Sequence, residues 1–108
     1  MNPLLKTMNP VNRFKKGSII VHILYHASKK PFYGVWLKKE LAKHGYNISD
    51  GTLYPWLSRL EYSEILKVEK RNVDGKIRKY YSITKKGLEQ FDLIKNYLKE
   101  LYKEIMEK

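Results

Sequence analysis

The chain has 108 residues, 43% hydrophobic and 31% charged, and 22 Lys/Arg against 11 Asp/Glu give a formal net charge of +11. That length supports one domain with a small core, and the lack of cysteine excludes disulfides and Cys-based zinc sites. The longest apolar run near the N-terminus, Ile19 to Tyr25, is too short to span a bilayer and Met1–Arg13 lacks a secretory layout, so a cytoplasmic protein without membrane association is expected.

Met1–Pro10 carries Pro3 and Pro10 and no period, and reads as an arm. A first helix is predicted over Asn12–Ser28, with Ile20, Ile23, Leu24 and Ala27 at i, i+3, i+4, i+7 spacing. Lys29-Lys30-Pro31 should end it, because the residue before a proline is pushed out of the α region. A second helix over Tyr33–His44 has Trp36, Leu37 and Leu41 as its apolar stripe and Gly45 as its stop. Ser49 is the expected N-cap of a third helix, its hydroxyl accepting from a first-turn N–H. There Leu53, Trp56, Leu57 and Leu60 face inward, while Gly51, Tyr54, Pro55, Ser58 and Tyr62 face out with Arg59 at the edge. Pro55 removes a hydrogen bond to Gly51, so a kink is expected at that turn.

Two strands follow, Leu66–Val73 and Lys76–Ile83, joined at Asp74-Gly75, a pair suited to a type I′ turn with positive φ at both central positions. Ile77, Lys79, Tyr81 and Ile83 share one face of the second strand, and Arg78, Tyr80 and Ser82 the other. Thr84 caps a last helix over Lys85–Glu107, in which Leu88, Phe91, Ile94, Leu98, Leu101 and Ile105 form an apolar stripe. From Phe91 onward its spacing is the a/d rhythm of helices that pair with one another. A helix of more than twenty residues is ~30 Å long, more than a body of this size can cover, so a homodimer is expected.

No catalytic apparatus is legible. His22 and His26 lie four apart, but Ile23 stands where a metalloprotease would have its glutamate, and they read as ordinary helix histidines. No phosphate-binding or nucleophile motif occurs, so neither enzyme activity, metal nor cofactor is expected. The charge is uneven. Residues 1–46 hold nine Lys/Arg against Glu40 alone, residues 47–86 nine against five acids, and residues 87–108 four against five. A basic body followed by a near-neutral helix suits a polyanion-facing surface with a separate packing segment. A helix followed by a basic β-hairpin is the layout of a winged helix-turn-helix, which points to duplex DNA. Arg59 can reach a phosphate or guanine edge, and Lys76, Arg78 and Lys79 flank the tight turn, whereas Trp56, Tyr80 and Tyr81 read as packing residues. Two rival readings are an architectural DNA-binding protein without sequence preference, suggested by the net charge, and a winged helix that binds another protein.

At Gly51–Glu61, GTLYPWLSRLE, the sequence resembles the PadR family of transcriptional regulators. The S-x-G-T-L-Y-P element stands at Ser49–Pro55, the G-x-x-R-K-Y-Y-x-I-T-x-K-G wing at Gly75–Gly87, and the aromatic-Tyr-Gly start of helix two at Phe32-Tyr33-Gly34. The three motifs occur in order, and the likeness spans Gly17–Gly87. It implies a dimeric winged-helix repressor of operator DNA, often released by a small-molecule effector, here at the dimer interface. The implied DNA-contacting positions are Tyr33, Thr52, Tyr54, Pro55, Ser58, Lys76 and Arg78, and Ser49, Gly51, Arg59 and Lys79 complete the candidate surface. Two departures stand out: Trp56, where relatives carry a small residue, and a last helix with Phe91, Tyr97 and Tyr102 but no Trp to stack planar compounds. The expected fold is mainly α with a small β-hairpin, a winged helix-turn-helix plus a long C-terminal dimerisation helix. Its parts are an arm (1–11), the DNA-binding domain (12–86) and the dimerisation helix (87–108), with Phe91, Ile94, Leu98, Leu101 and Ile105 as the pairing face.

Overall fold

A computed structural model describes residues 7–107. Four helices and one hairpin follow in order: α1 (Pro10–Lys29), α2 (Gly34–Lys43), α3 (Asp50–Tyr62), β1 (Leu66–Val73), β2 (Lys76–Ile83) and α4 (Lys85–Met106). The fold is the expected winged helix. Residues 1–6 of the expected arm lie outside the described residues. Helix α1 begins two residues before the expected Asn12. The Asn9 side chain accepts from the Asn12 N–H at 3.0 Å, and Pro10, whose missing N–H costs nothing in the first turn, opens the helix.

The core gathers one stripe from each helix of the trihelical body: Ile19, Ile23 and Ala27 from α1, Leu37 and Leu41 from α2, and Leu53 and Leu57 from α3. Phe32, Ile48, Leu66 and Tyr81 close it from the connections and the hairpin. Ile23, Leu37, Leu41, Leu53 and Leu57 are wholly inaccessible, and burial of each such side chain is worth about 1.5–3 kcal/mol. Trp36, Trp56 and Leu60, expected inside, are only half-buried and pack on the edge of this cluster.

Two helices end in the same six-residue motif with different occupants. At the end of α2 the Tyr46 N–H reaches the Leu41 carbonyl and the Gly45 N–H that of Ala42, with Gly45 at φ 84°. At the end of α3 Ile65 bonds back to Leu60 and Glu64 to Glu61, but here the left-handed position, φ 62°, is filled by Glu64. The hairpin has the predicted limits and turn. Leu66 pairs with Ile83 and Val73 with Lys76, around Asp74 at φ 51° and Gly75 at φ 81°. Phe32 exchanges two backbone hydrogen bonds with Tyr81, adding a one-residue third strand that ties the wing to the start of α2. Thr84 caps α4 by accepting from the Gly87 N–H at 2.9 Å, and its hydroxyl donates to the Ile65 carbonyl.

Candidate nucleic-acid interface

Helix α3 is held by its buried leucines and presents the opposite side to solvent. Gly51, Tyr54, Pro55, Ser58 and Arg59 are exposed, and Thr52 is half-exposed. The helix is continuous through Pro55, whose missing hydrogen bond falls on the exposed carbonyl side of Gly51. Ser49 occupies the cap position, where its carbonyl accepts from Thr52 and Leu53. The expected side-chain cap is absent, and the Ser49 hydroxyl donates to the Thr52 hydroxyl at 3.2 Å. Asp50, the acid in the first turn, is paired with Lys38 of α2 at 2.8 Å, which offsets its charge at this end of the helix.

The wing and the front of α3 enclose a cleft of about 450 Å³ lined by Tyr33, Tyr54, Ser58, Lys76, Arg78 and Lys79, together with Gly34, Val35, Ile77 and Tyr81. No acid is in that lining. Six of the eleven candidate residues therefore meet at one place, contributed by the residue before α2, by α3 and by β2. Gly51, Thr52 and Pro55 lie elsewhere on α3, and Ser49 just before it. Arg59 sits on the other flank, beside Lys16, Gly17 and Trp56, and that flank belongs to the α1–α3 side of the body. Strand alternation puts Lys79 on the opposite face from Lys76 and Arg78, and all three still border the cleft.

Gly34 is a residue that sequence reasoning quoted only as part of a motif. A Cβ there would meet the Tyr54 ring, with Cε1 at 2.5 Å and the hydroxyl at 2.8 Å, so the missing side chain is what lets Tyr54 lie against the start of α2. Tyr54 remains 37% exposed in that position. Tyr33, the residue before α2, carries the Arg78 guanidinium over its ring at 4.4 Å. Tyr81 is core, as expected, while Tyr80 meets Tyr33 edge-on at 5.6 Å.

Exposed apolar residues gather on α4 and α1. Of the expected pairing face on α4, Phe91 is instead buried in its own chain, because the first turns of the helix rest on the body. Ile94 is half-buried, whereas Leu98, Leu101 and Ile105 are exposed, the last at 63%. Leu93, Tyr97 and Tyr102 widen this exposed surface. Helix α1 adds a second stripe that sequence reasoning missed: Val11, Phe14, Ser18, Val21 and Tyr25 at 3-4-3-4 spacing, with Val11, Phe14 and Tyr25 exposed. Its signal was present, but the inward stripe of the same helix overshadowed it.

Between α1 and α4 runs a groove of about 890 Å³ that includes Phe14, Val21, Phe91, Ile94 and Leu98. His22, His26 and His44 line it, with the His22 ring 6.1 Å from His26 and 5.1 Å from His44. Burial, and then the nearby His44, hold His22 below the ordinary histidine range. Burial likewise lowers His26, against a smaller upward pull from Glu40. Among the described residues no group of His, Cys, Asp or Glu has metal-holding geometry, and no helix is long and apolar enough to cross a membrane.

Known proteins resemble both the sequence and the fold. The Transcriptional regulator PadR-like family matches residues 23–93. The Transcriptional regulator Rv3488 of Mycobacterium tuberculosis is 40% identical over 96 residues, covering 89% of this chain and 90% of that protein. A crystal structure of a PadR family transcriptional regulator from Eggerthella lenta superposes with a TM-score of 0.78 at 34% identity, covering 88% of this chain and 84% of that one. A PadR-like regulator from Bacillus cereus gives the same TM-score and identity over 86% of this chain and 92% of its own. These relatives are transcriptional regulators rather than enzymes, and the chain belongs to the PadR-like family of transcriptional regulators.

Proposed function

We propose that this regulator is a repressor that binds a pseudo-palindromic operator as a homodimer, reading duplex DNA with α3 and gripping it with the wing. The observation that carries this reading is the acid-free cleft in which Tyr54 and Ser58 of α3 stand beside Lys76, Arg78 and Lys79. Lysine and arginine supply salt-sensitive affinity for phosphates, and the exposed face of α3 supplies base contacts. The exposed α4 surface and the outer α1 stripe are suited to burial against a second copy. Two α3 helices must then enter successive major grooves about 34 Å apart. An effector in the α1–α4 groove would act by binding differently to arrangements that set that separation differently. The reading implies a cytoplasmic protein. The net charge of +11 also favours a second reading, an architectural protein that coats DNA without sequence preference.

The test compares a duplex from upstream of the protein's own gene with a shuffled duplex at equal salt. Specific binding should exceed non-specific by at least about 10³-fold. Equal affinities would overturn the specific reading and leave the coating one. Sedimentation of Leu98→Glu/Leu101→Glu tests the dimer: loss of a wild-type dimer supports it, and a monomeric wild type refutes it.

A further inference from the structure

We infer that Arg71, on the first wing strand, is a phosphate-contacting residue positioned by Tyr80 and occupied by Glu69 until DNA arrives. The inference rests on the DNA-binding reading above and adds residues that lie outside the cleft. In the hairpin register Arg71 stands directly across from Arg78, and like charges so placed destabilise a strand pair. The structure separates them over two rings. Arg78 lies over Tyr33 and Arg71 over Tyr80, each guanidinium carbon 4.4 Å from its ring centroid, while the tyrosines meet edge-on between them.

This sequence of cation, ring, ring, cation follows from topology. The Phe32–Tyr81 bridge makes Tyr33 the neighbour of Tyr80, and alternation puts Tyr80, Arg78, Arg71 and Glu69 on one face of the sheet. A guanidinium held over a ring keeps in-plane N–H donors that can fork onto a phosphate. One of those donors, on Arg71 Nη2, is engaged by Glu69 Oε2 at 3.2 Å. Both partners are substantially exposed, so the pair is weak and open to exchange. A phosphate can replace the carboxylate in kind, and the negative field of DNA drives Glu69 away.

The test measures binding of a labelled random-sequence duplex of about 30 base pairs, long enough for two half-sites, across about 50–200 mM salt. Variants are Arg71→Gln, Arg71→Lys, Arg78→Gln, Glu69→Gln and Glu69→Gln/Arg71→Gln. Arg71→Gln should bind about 10-fold more weakly, with the slope of log K against log salt shallower by about 0.9, the mark of one lost phosphate contact. Arg71→Lys should keep most of the slope but lose affinity, since lysine lacks the forked geometry. Glu69→Gln should bind several-fold more tightly, and that gain should shrink when Arg71 is also Gln. A purely structural stack would change thermal stability and leave the slope alone. If Arg78→Gln weakens binding while Arg71→Gln keeps wild-type affinity and slope, this inference fails and the DNA reading stands. If the wild type itself shows no salt-dependent duplex binding, the DNA reading fails.

Discussion

Gly34→Ala should weaken DNA binding without unfolding the protein. The added methyl would lie 2.5 Å from Tyr54 Cε1 and 2.9 Å from Cζ, so the ring must retreat by roughly 0.9 Å to reach ordinary contact at 3.4 Å. Tyr54 is partly exposed and can swing away, at about 0.5–1.5 kcal/mol for a strained rotamer. Alanine meanwhile gains up to about 1 kcal/mol over glycine in a helix, so the net change in stability should stay within about 1 kcal/mol. DNA affinity is different, because under the proposed function a displaced Tyr54 would lose the contact with the duplex that its exposed position allows. Loss of one base contact, comparable to one mismatched base pair, costs about 1–3 kcal/mol, so binding should fall by about 5-fold or more. The assay is a double-mutant cycle with Tyr54→Ala, with affinities measured at one salt concentration and thermal midpoints measured alongside. Gly34→Ala should add almost nothing to Tyr54→Ala, since both act through one ring. Wild-type affinity for Gly34→Ala, with Tyr54→Ala impaired, would show that Gly34 does not act through the Tyr54 ring, as would fully additive losses.

Glu64→Gly should raise stability by about 0.5–1 kcal/mol, and Gly45→Ala should lower it by about 1 kcal/mol, because both positions are left-handed and only one already has the residue that suits it. Denaturant midpoints at constant m-value would show this, and equal responses at both sites would contradict it. Gly87→Ala should cost about 1–3 kcal/mol, since a Cβ there collides with the Ile65 carbonyl and approaches Ile83 Cγ1 to 2.6 Å. Gly17→Ala, with nothing within 4 Å, should be neutral or mildly stabilising. The histidine cluster predicts an acid-sensitive fold. His22 and His26 have folded pKa values below their unfolded ones, so the unfolded state binds more protons, and stability present above about pH 6.5 is lost as pH falls through the folded values. The thermal midpoint should drop between about pH 7.5 and 5.5, a window chosen to lie above the ordinary carboxylate range, and should drop less in His22→Gln/His26→Gln. A pH-independent midpoint for the wild type would contradict it.

The sequence made the hairpin legible to the residue because the Asp74-Gly75 turn fixes register and each strand alternates around it. Helix boundaries were less exact where backbone carried the signal: the Asn9 cap and Pro10 start lay inside a stretch that looked like an arm. Trp36, Trp56 and Leu60 match a helical stripe as well as Leu53 or Leu57 do, but periodicity cannot say which side of a stripe meets three neighbours and which meets one. At the candidate site the outward residues of α3 and the wing cations were readable as types. Their meeting in one cleft was not, since it depends on the Phe32–Tyr81 bridge, a contact far apart in sequence. The same bridge sets Tyr33 beside Tyr80 and so creates the arginine–tyrosine line. Gly34 is legible only once Tyr54 is seen lying against it, and His44 joins His22 and His26 only through the packing of α2 on α1.

In the proposed function, two copies of this chain read a specific, two-fold-related duplex through α3 and the wing. Selection of bound duplexes from a random pool tests specificity and spacing together. The pool should converge on a pseudo-palindrome whose half-sites are centred about 34 Å, or about 10 base pairs, apart, and Tyr54→Ala should no longer enrich it. A selected pool with no shared motif, or a single unpaired half-site bound as tightly as the full one, would contradict it.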